Sequence, residues 1–215
     1  MVSFGKGEVR DLLISMVVLS FAFAYFFRND FDGNFLVLVP AMMIAVVPGF
    51  AFHELAHKFM AIKYGFDAEY HLWWFGLVLA VVSSFFSVIF AAPGAVYIKG
   101  DKVISEEENG KISVVGPLTN IVLAFLFLFM AIILVIIGVI FYPNADPTDL
   151  SKTLPGFLCI YVGWAGFIIN SFMASINLLP IGIFDGAKVF RWNKIVWVVL
   201  ALIAFPMAII PIFLL

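Results

Sequence analysis

Apolar residues in this chain come in long blocks rather than short alternations, and the blocks carry no charge. Six stand out: Leu12–Phe27, Gly33–Phe52, Leu72–Ile98, Ile112–Ala145, Thr153–Phe184 and Ile195–Leu215. Crossing a bilayer as a helix takes about 20 apolar residues, with ~17–25 the usual range. Five blocks meet that length, and the first, 16 residues long, is extended by its flanks. Ala22-Phe23-Ala24 has the small-x-small pattern of a signal-peptide cleavage site, but it lies inside the first block and not after it. That block therefore reads as a retained helix.

The third block differs from the rest. Leu72–Phe90 is long enough to span, yet Ala91-Ala92-Pro93-Gly94 interrupts it and Ala95–Ile98 then reads as a short strand. If the segment crosses, the chain makes six spans and its 12 Lys and Arg divide 5 to 7 across the membrane. If it re-enters, five spans result, and only Arg28 and Lys152 stand opposite the other 10. Basic residues gather on the cytoplasmic side, so the re-entrant arrangement is favoured, with the N-terminus cytoplasmic. Backbone of that kind is tolerated at membrane depth only against protein or water, so the segment should border a cavity.

Composition agrees. Apolar residues make up 64% of the 215 and charged residues 12%, where soluble domains have ~25% charged. Mean hydropathy is +1.13. A soluble fold of this size has too much surface to hide such a content. A net charge of −2 leaves no electrostatic footprint for nucleic acid. The lone Cys159 excludes an internal disulfide. We expect an all-α polytopic membrane protein of five or six transmembrane helices. A re-entrant or β segment should lie between its second and fourth apolar blocks. Residues 1–215 should form a single membrane-embedded domain with no appended soluble domain, placed in a plasma membrane.

At the end of the second block stands His53-Glu54-Leu55-Ala56-His57. On a helix, positions i and i+4 share a face, so both imidazoles can reach one zinc ion. Glu54, about 100° round from His53, can serve as general base toward a metal-activated water. Charge beside a membrane-spanning run is costly and is usually functional; the plainer reading is an interfacial helix end next to Lys58.

Two His want a third protein ligand, with the fourth position left open. Candidates are Asp67, Glu69, His71, Asp101, Asp146, Asp149 and Asp185. In the five-span arrangement Asp146 and Asp149 fall on the far face, and Asp67, Glu69 and His71 read as a polar connector. Asp185 is the only acid between Thr153 and Lys188. Pro180 should end the helix before it, and the Asp185-Gly186 turn pair can fold its carboxylate back into the bundle. Asp185 is therefore chosen. It also needs an even number of crossings after His57, which again favours the re-entrant segment.

Taken together, His53-Glu54-x-x-His57, then Gly116-Pro117-Leu118-Thr119-Asn120 opening a helix, then Asn177-x-x-Pro180-x-x-x-x-Asp185-Gly186 resemble the site-2 protease family of intramembrane zinc metalloproteases. The likeness runs from about Pro40 to Arg191. It implies one Zn2+ per chain on His53, His57 and Asp185, with Glu54 as base, and cleavage of transmembrane protein substrates within the bilayer. It also implies a membrane-embedded β segment, which Ala95–Ile98 can supply. Phe184 stands where the family often has Leu, and the insert Leu72–Phe90 lies outside the minimal family core.

Asn177 and Asn120 are candidates for binding substrate or the developing oxyanion, Asn120 being equally readable as interhelical glue. Asn170 reads as glue, and Glu106-Glu107-Glu108 as a solvated loop. The expected reaction is hydrolysis of a peptide bond in or near a substrate transmembrane helix, by Glu-assisted attack of metal-activated water. A membrane zinc peptidase acting on non-membrane peptides, or a metal-handling transporter, are the competing readings.

Overall fold

The apolar blocks fold as helices in the computed structural model, which describes residues 4–29, 35–90, 92–100, 102–144 and 153–213. Ala91, Asp101, Asp146, Asp149 and Lys152, all used in the sequence reading, lie outside the described residues. Helix α1 spans Glu8–Phe26 and α2 Phe35–Lys63; strand β1 is Asp67–Leu72, α3 Trp74–Phe85 and β2 Gly94–Lys99. Then come α4 (Glu106–Phe141), α5 (Leu154–Leu158), a π-helical turn (Cys159–Trp164), α6 (Ala165–Asn177), α7 (Asp185–Trp192) and α8 (Lys194–Ile209). Four stretches are long and apolar enough to cross a membrane: Glu8–Asn29, Val37–Lys63, Glu106–Phe141 and Pro155–Asn177. The protein is an all-α polytopic membrane protein with a two-stranded sheet inserted between α2 and α4.

Local chemistry explains several boundaries. Ser105 accepts a hydrogen bond from the Glu108 N–H while the Glu108 side chain returns to Ser105, a capping box that starts α4. Glu106-Glu107-Glu108 is thus the first helical turn, where acids complement the helix dipole, and not the expected loop. Gly116–Asn120 lies well inside that helix rather than at its opening. Its 36 residues measure about 54 Å, so its charged first turns project beyond a ~30 Å hydrocarbon layer. Asn193 caps α8 by accepting from the Ile195 and Val196 amides.

The polar connector expected at Asp67–His71 is a strand. It pairs antiparallel with β2 in the register Asp67↔Lys99 to Leu72↔Gly94. The pairing sets Gly94 beside Leu72, so the described residues 73–90 and 92–93 leave the sheet and return to it on the same side. Their helical limb α3 has 12 residues, about 18 Å, and reaches Tyr25 near the far end of α1, with ring centroids of Tyr25 and Phe85 4.2 Å apart. Non-helical backbone at the limb ends finds partners inside the protein: the Trp73 N–H donates to the Pro93 carbonyl and the Phe90 N–H to Ser83 Oγ.

The two edges of this sheet are unlike. The outward N–H groups of Tyr70 and Leu72 donate to Glu8 Oε1 (3.1 Å) and Asp11 Oδ2 (3.4 Å), so carboxylates of α1 cover the β1 edge. Amides that point away from β2 belong to non-hydrogen-bonded pairs. The partners of Tyr70 and Leu72, Val96 and Gly94, therefore also turn their amides outward, as does Ile98. Among the described residues these three amides have no hydrogen-bond partner, and the β2 edge is open.

Candidate metal centre

Helix α2 carries His53, Glu54 and His57 on its buried side, and all three are less than 9% exposed. The two rings meet edge to face at 4.7 Å between centroids. Opposite them, α6 ends at Asn177 and the chain turns through Pro180 to restart as α7, whose first residue is Asp185. The Asp-Gly pair is therefore a helix start rather than the expected turn. Two contacts fix it. Trp197 Nε1 donates to the Leu178 carbonyl at 2.7 Å, and Gly186 packs so closely that a Cβ there would lie 2.1 Å from the same oxygen.

His53 Nε2, His57 Nε2 and Asp185 Oδ2 converge. The oxygen is 3.4 Å from His53 and 3.0 Å from His57, and the two nitrogens are 3.1 Å apart. A tetrahedral ion with bonds of about 2.0–2.1 Å needs ligand atoms about 3.3 Å from one another, so the group fits one metal ion. The donor chemistry fits as well. His57 Nδ1 faces the Ile112 carbonyl at 2.7 Å, an atom that can only accept, so the ring proton sits on Nδ1 and Nε2 keeps its lone pair. His53 Nδ1 faces Asn120 Oδ1 at 2.6 Å in the same manner.

Gly116 of α4 lies directly against the rings. A Cβ there would be 2.3 Å from His57 Nε2 and 2.7 Å from His53 Cε1. The glycine is visible in the Gly116–Asn120 motif, but the close approach that requires it leaves no local signal in the sequence. Nor does Ile112, whose contribution is a backbone carbonyl.

Asp185 is buried, and its Oδ2 faces both rings. Its other oxygen lies 3.4 Å from Lys188 Nζ. Glu54, next to His53 on α2, is buried. Of the other described ligand candidates, Glu69 and His71 sit 3.6 Å apart, half exposed on β1, and with Asp67 they stay outside the cluster.

Asn120 and Asn177 part company. Asn120 is fully buried, and its Nδ2 donates to the Gly49 carbonyl (3.0 Å) and Asn170 Oδ1 (3.1 Å). With Oδ1 on His53, its amide is directed into the packing of α2, α4 and α6. Asn177, half-buried at the end of α6, donates to the Met173 carbonyl. Among the described residues no hydrogen bond joins it to the cluster. Lys58, beside which the plainer reading put an interfacial helix end, is buried and paired with Glu8 at 2.6 Å.

The chain is similar to two curated proteins. One, named "Putative zinc metalloprotease MJ0611" from Methanocaldococcus jannaschii, is 40% identical over 201 residues, covering 93% of this chain and 91% of that one. The other, "Putative zinc metalloprotease YwhC" from Bacillus subtilis, is 27% identical over 168 residues, covering 72% and 69%. No family model matches the chain, and no solved structure gives a significant match.

Proposed function

Because this chain belongs to the same family of zinc metalloproteases as the M. jannaschii protein, we propose that it is a site-2 protease-like intramembrane enzyme, cutting substrate transmembrane helices. The observation that carries the proposal is the convergence of His53, His57 and Asp185 on one point, with Glu54 buried next to His53 on a helix long and apolar enough to cross a membrane. Gly116, in contact with both rings, lies five residues after Lys111, the last charged residue of α4. That spacing puts the cluster within about 8 Å of the helix's charged start.

His53 Nε2, His57 Nε2 and Asp185 Oδ2 would hold the zinc. When bound, zinc supplies a Lewis acid that polarises water and a substrate carbonyl. Glu54 takes a proton from the attacking water as the carbonyl carbon gains the oxygen. It then returns the proton to the amine nitrogen as the peptide C–N bond breaks. Asn177 binds the substrate carbonyl as its charge develops. A substrate helix hides its carbonyls in internal hydrogen bonds and must unwind locally, and the open β2 edge receives the unwound segment by strand addition. The N-terminus and the cluster face the cytoplasm, in keeping with the distribution of Lys and Arg.

The test combines zinc content with cleavage, using detergent-purified wild type, Glu54→Gln and Asp185→Ala. About one zinc per chain is expected in wild type and Glu54→Gln and far less in Asp185→Ala, with hydrolysis in wild type only. Zinc retained in Asp185→Ala would return the third-ligand role to Asp67, Glu69 or His71. Hydrolysis by Glu54→Gln would overturn the base assignment. Equal cleavage of peptides with and without a transmembrane segment would favour a membrane zinc peptidase.

A further inference from the structure

Asn170, in the middle of α6, touches none of the candidate ligands, yet it ends a chain of directed hydrogen bonds that starts at one of them. Its Nδ2 donates to the Gly166 carbonyl at 2.8 Å and the Ala45 carbonyl at 3.5 Å. Both atoms can only accept, so the Asn170 amide has one possible orientation, with Oδ1 toward Asn120. Asn120 Nδ2 donates to that oxygen and to the Gly49 carbonyl, which in turn leaves Oδ1 for His53 Nδ1. Backbone carbonyls of α2 and α6 thereby orient Asn170, Asn170 orients Asn120, and Asn120 keeps the His53 proton on Nδ1.

The relay is dry and tightly held. Both asparagines are fully buried. Gly49 brings the α2 backbone so near that a Cβ there would lie 2.5 Å from Asn170 Oδ1. Ordinary interhelical glue would need only one such bond, whereas here three helices contribute to the orientation of one imidazole.

We propose that Asn170 is a positioning residue for the metal centre: through Asn120 it sets the tautomer and ring plane of His53, and so the affinity for zinc. The inference rests on the zinc reading of the site. Partners of this kind around metal-bound histidines are worth about 10–100-fold in affinity when removed.

The experiment measures zinc affinity by competition with a chromogenic chelator, and the visible spectrum of the Co2+-loaded protein. It compares wild type, Asn170→Leu, Asn120→Asp and the double variant, with Asn170→Ala as a companion that only removes atoms. Asn170→Leu or Asn170→Ala should weaken zinc binding about tenfold or more and alter the Co2+ spectrum. Asn120→Asp presents an acceptor oxygen to His53 whichever way it is turned. Its second oxygen meets Asn170 Oδ1 and the Gly49 carbonyl, so its own affinity serves as the baseline, against which adding Asn170→Leu should cost less than about twofold. Wild-type affinity in Asn170→Leu or Asn170→Ala, or an equal loss in the Asn120→Asp background, would overturn the relay alone. Absence of metal binding by wild type would instead overturn the zinc reading, and the relay with it.

Discussion

Glu8 and Lys58 form a bidentate ion pair inside the protein, with Nζ 2.7 and 2.6 Å from the two carboxylate oxygens. Glu8 also accepts from the Gly5 and Tyr70 amides. One carboxylate thus joins the start of α1, the edge of β1 and the residue that follows His57. The sheet and the candidate metal centre are held in one frame by this contact.

Breaking the pair from one side leaves a buried charge without a partner, which costs about 3–5 kcal/mol. Lys58→Met should therefore lower the thermal midpoint of the detergent-solubilised protein substantially. Glu8→Gln combined with Lys58→Met keeps an acceptor for the Tyr70 amide and removes both charges, and should recover most of the loss. A double variant as unstable as Lys58→Met would show that the charge pair is not what holds α1.

Gly116→Ala tests the close approach of α4 to the rings. Either imidazole can make room for the methyl group only by leaving its Nδ1 partner, Ile112 or Asn120. Zinc affinity should fall by at least the ~10-fold typical of a lost orienting partner, while helix content by circular dichroism stays unchanged. Undiminished zinc binding would mean the site relaxes freely.

The two edges of the sheet make separable predictions. Proline at Val96 removes an outward amide, so Val96→Pro should lower cleavage while zinc content and stability hold. Tyr97 is paired with Glu69 inside the ladder, so Tyr97→Pro should lower cleavage and loosen the hairpin as well, seen as faster amide exchange in β1. Unchanged cleavage by Val96→Pro would rule out strand capture.

Zinc at this centre would tie α2 to α7, so stripping it with a chelator should lower the thermal midpoint and adding it back should restore it. Saturation at 100 times the dissociation constant corresponds to about 2.7 kcal/mol. Asp185→Ala should show little response to either treatment.

Much of the architecture was legible along the chain because a bilayer demands long uncharged helices, and run length alone reports them. The segment Ala95–Ile98 was recognisable as strand because Pro93-Gly94 bounds a short β-prone run. Its partner was not: Asp67-Ala68-Glu69-Tyr70-His71 looks polar, and only pairing with β2 and the carboxylates of α1 makes it a strand. The start of α4 carried a readable signal, Ser105 with Glu108 three residues on, which the run of three acids obscured.

By itself the sequence determined that the protein is membrane-embedded, that two histidines and a glutamate share one helix, and that Asp185 is the acid able to fold back toward them. These follow from local rules of hydrophobic length, helical periodicity and proline, which need no knowledge of neighbours. Only the tertiary structure decided that Gly116 and the Ile112 carbonyl border the cluster, that Lys58 is buried against Glu8, and that Asn120 faces His53 with Asn170 behind it. Those contacts join residues 50 or more positions apart, and their donors and acceptors become specific only when helix packing removes water as the alternative partner.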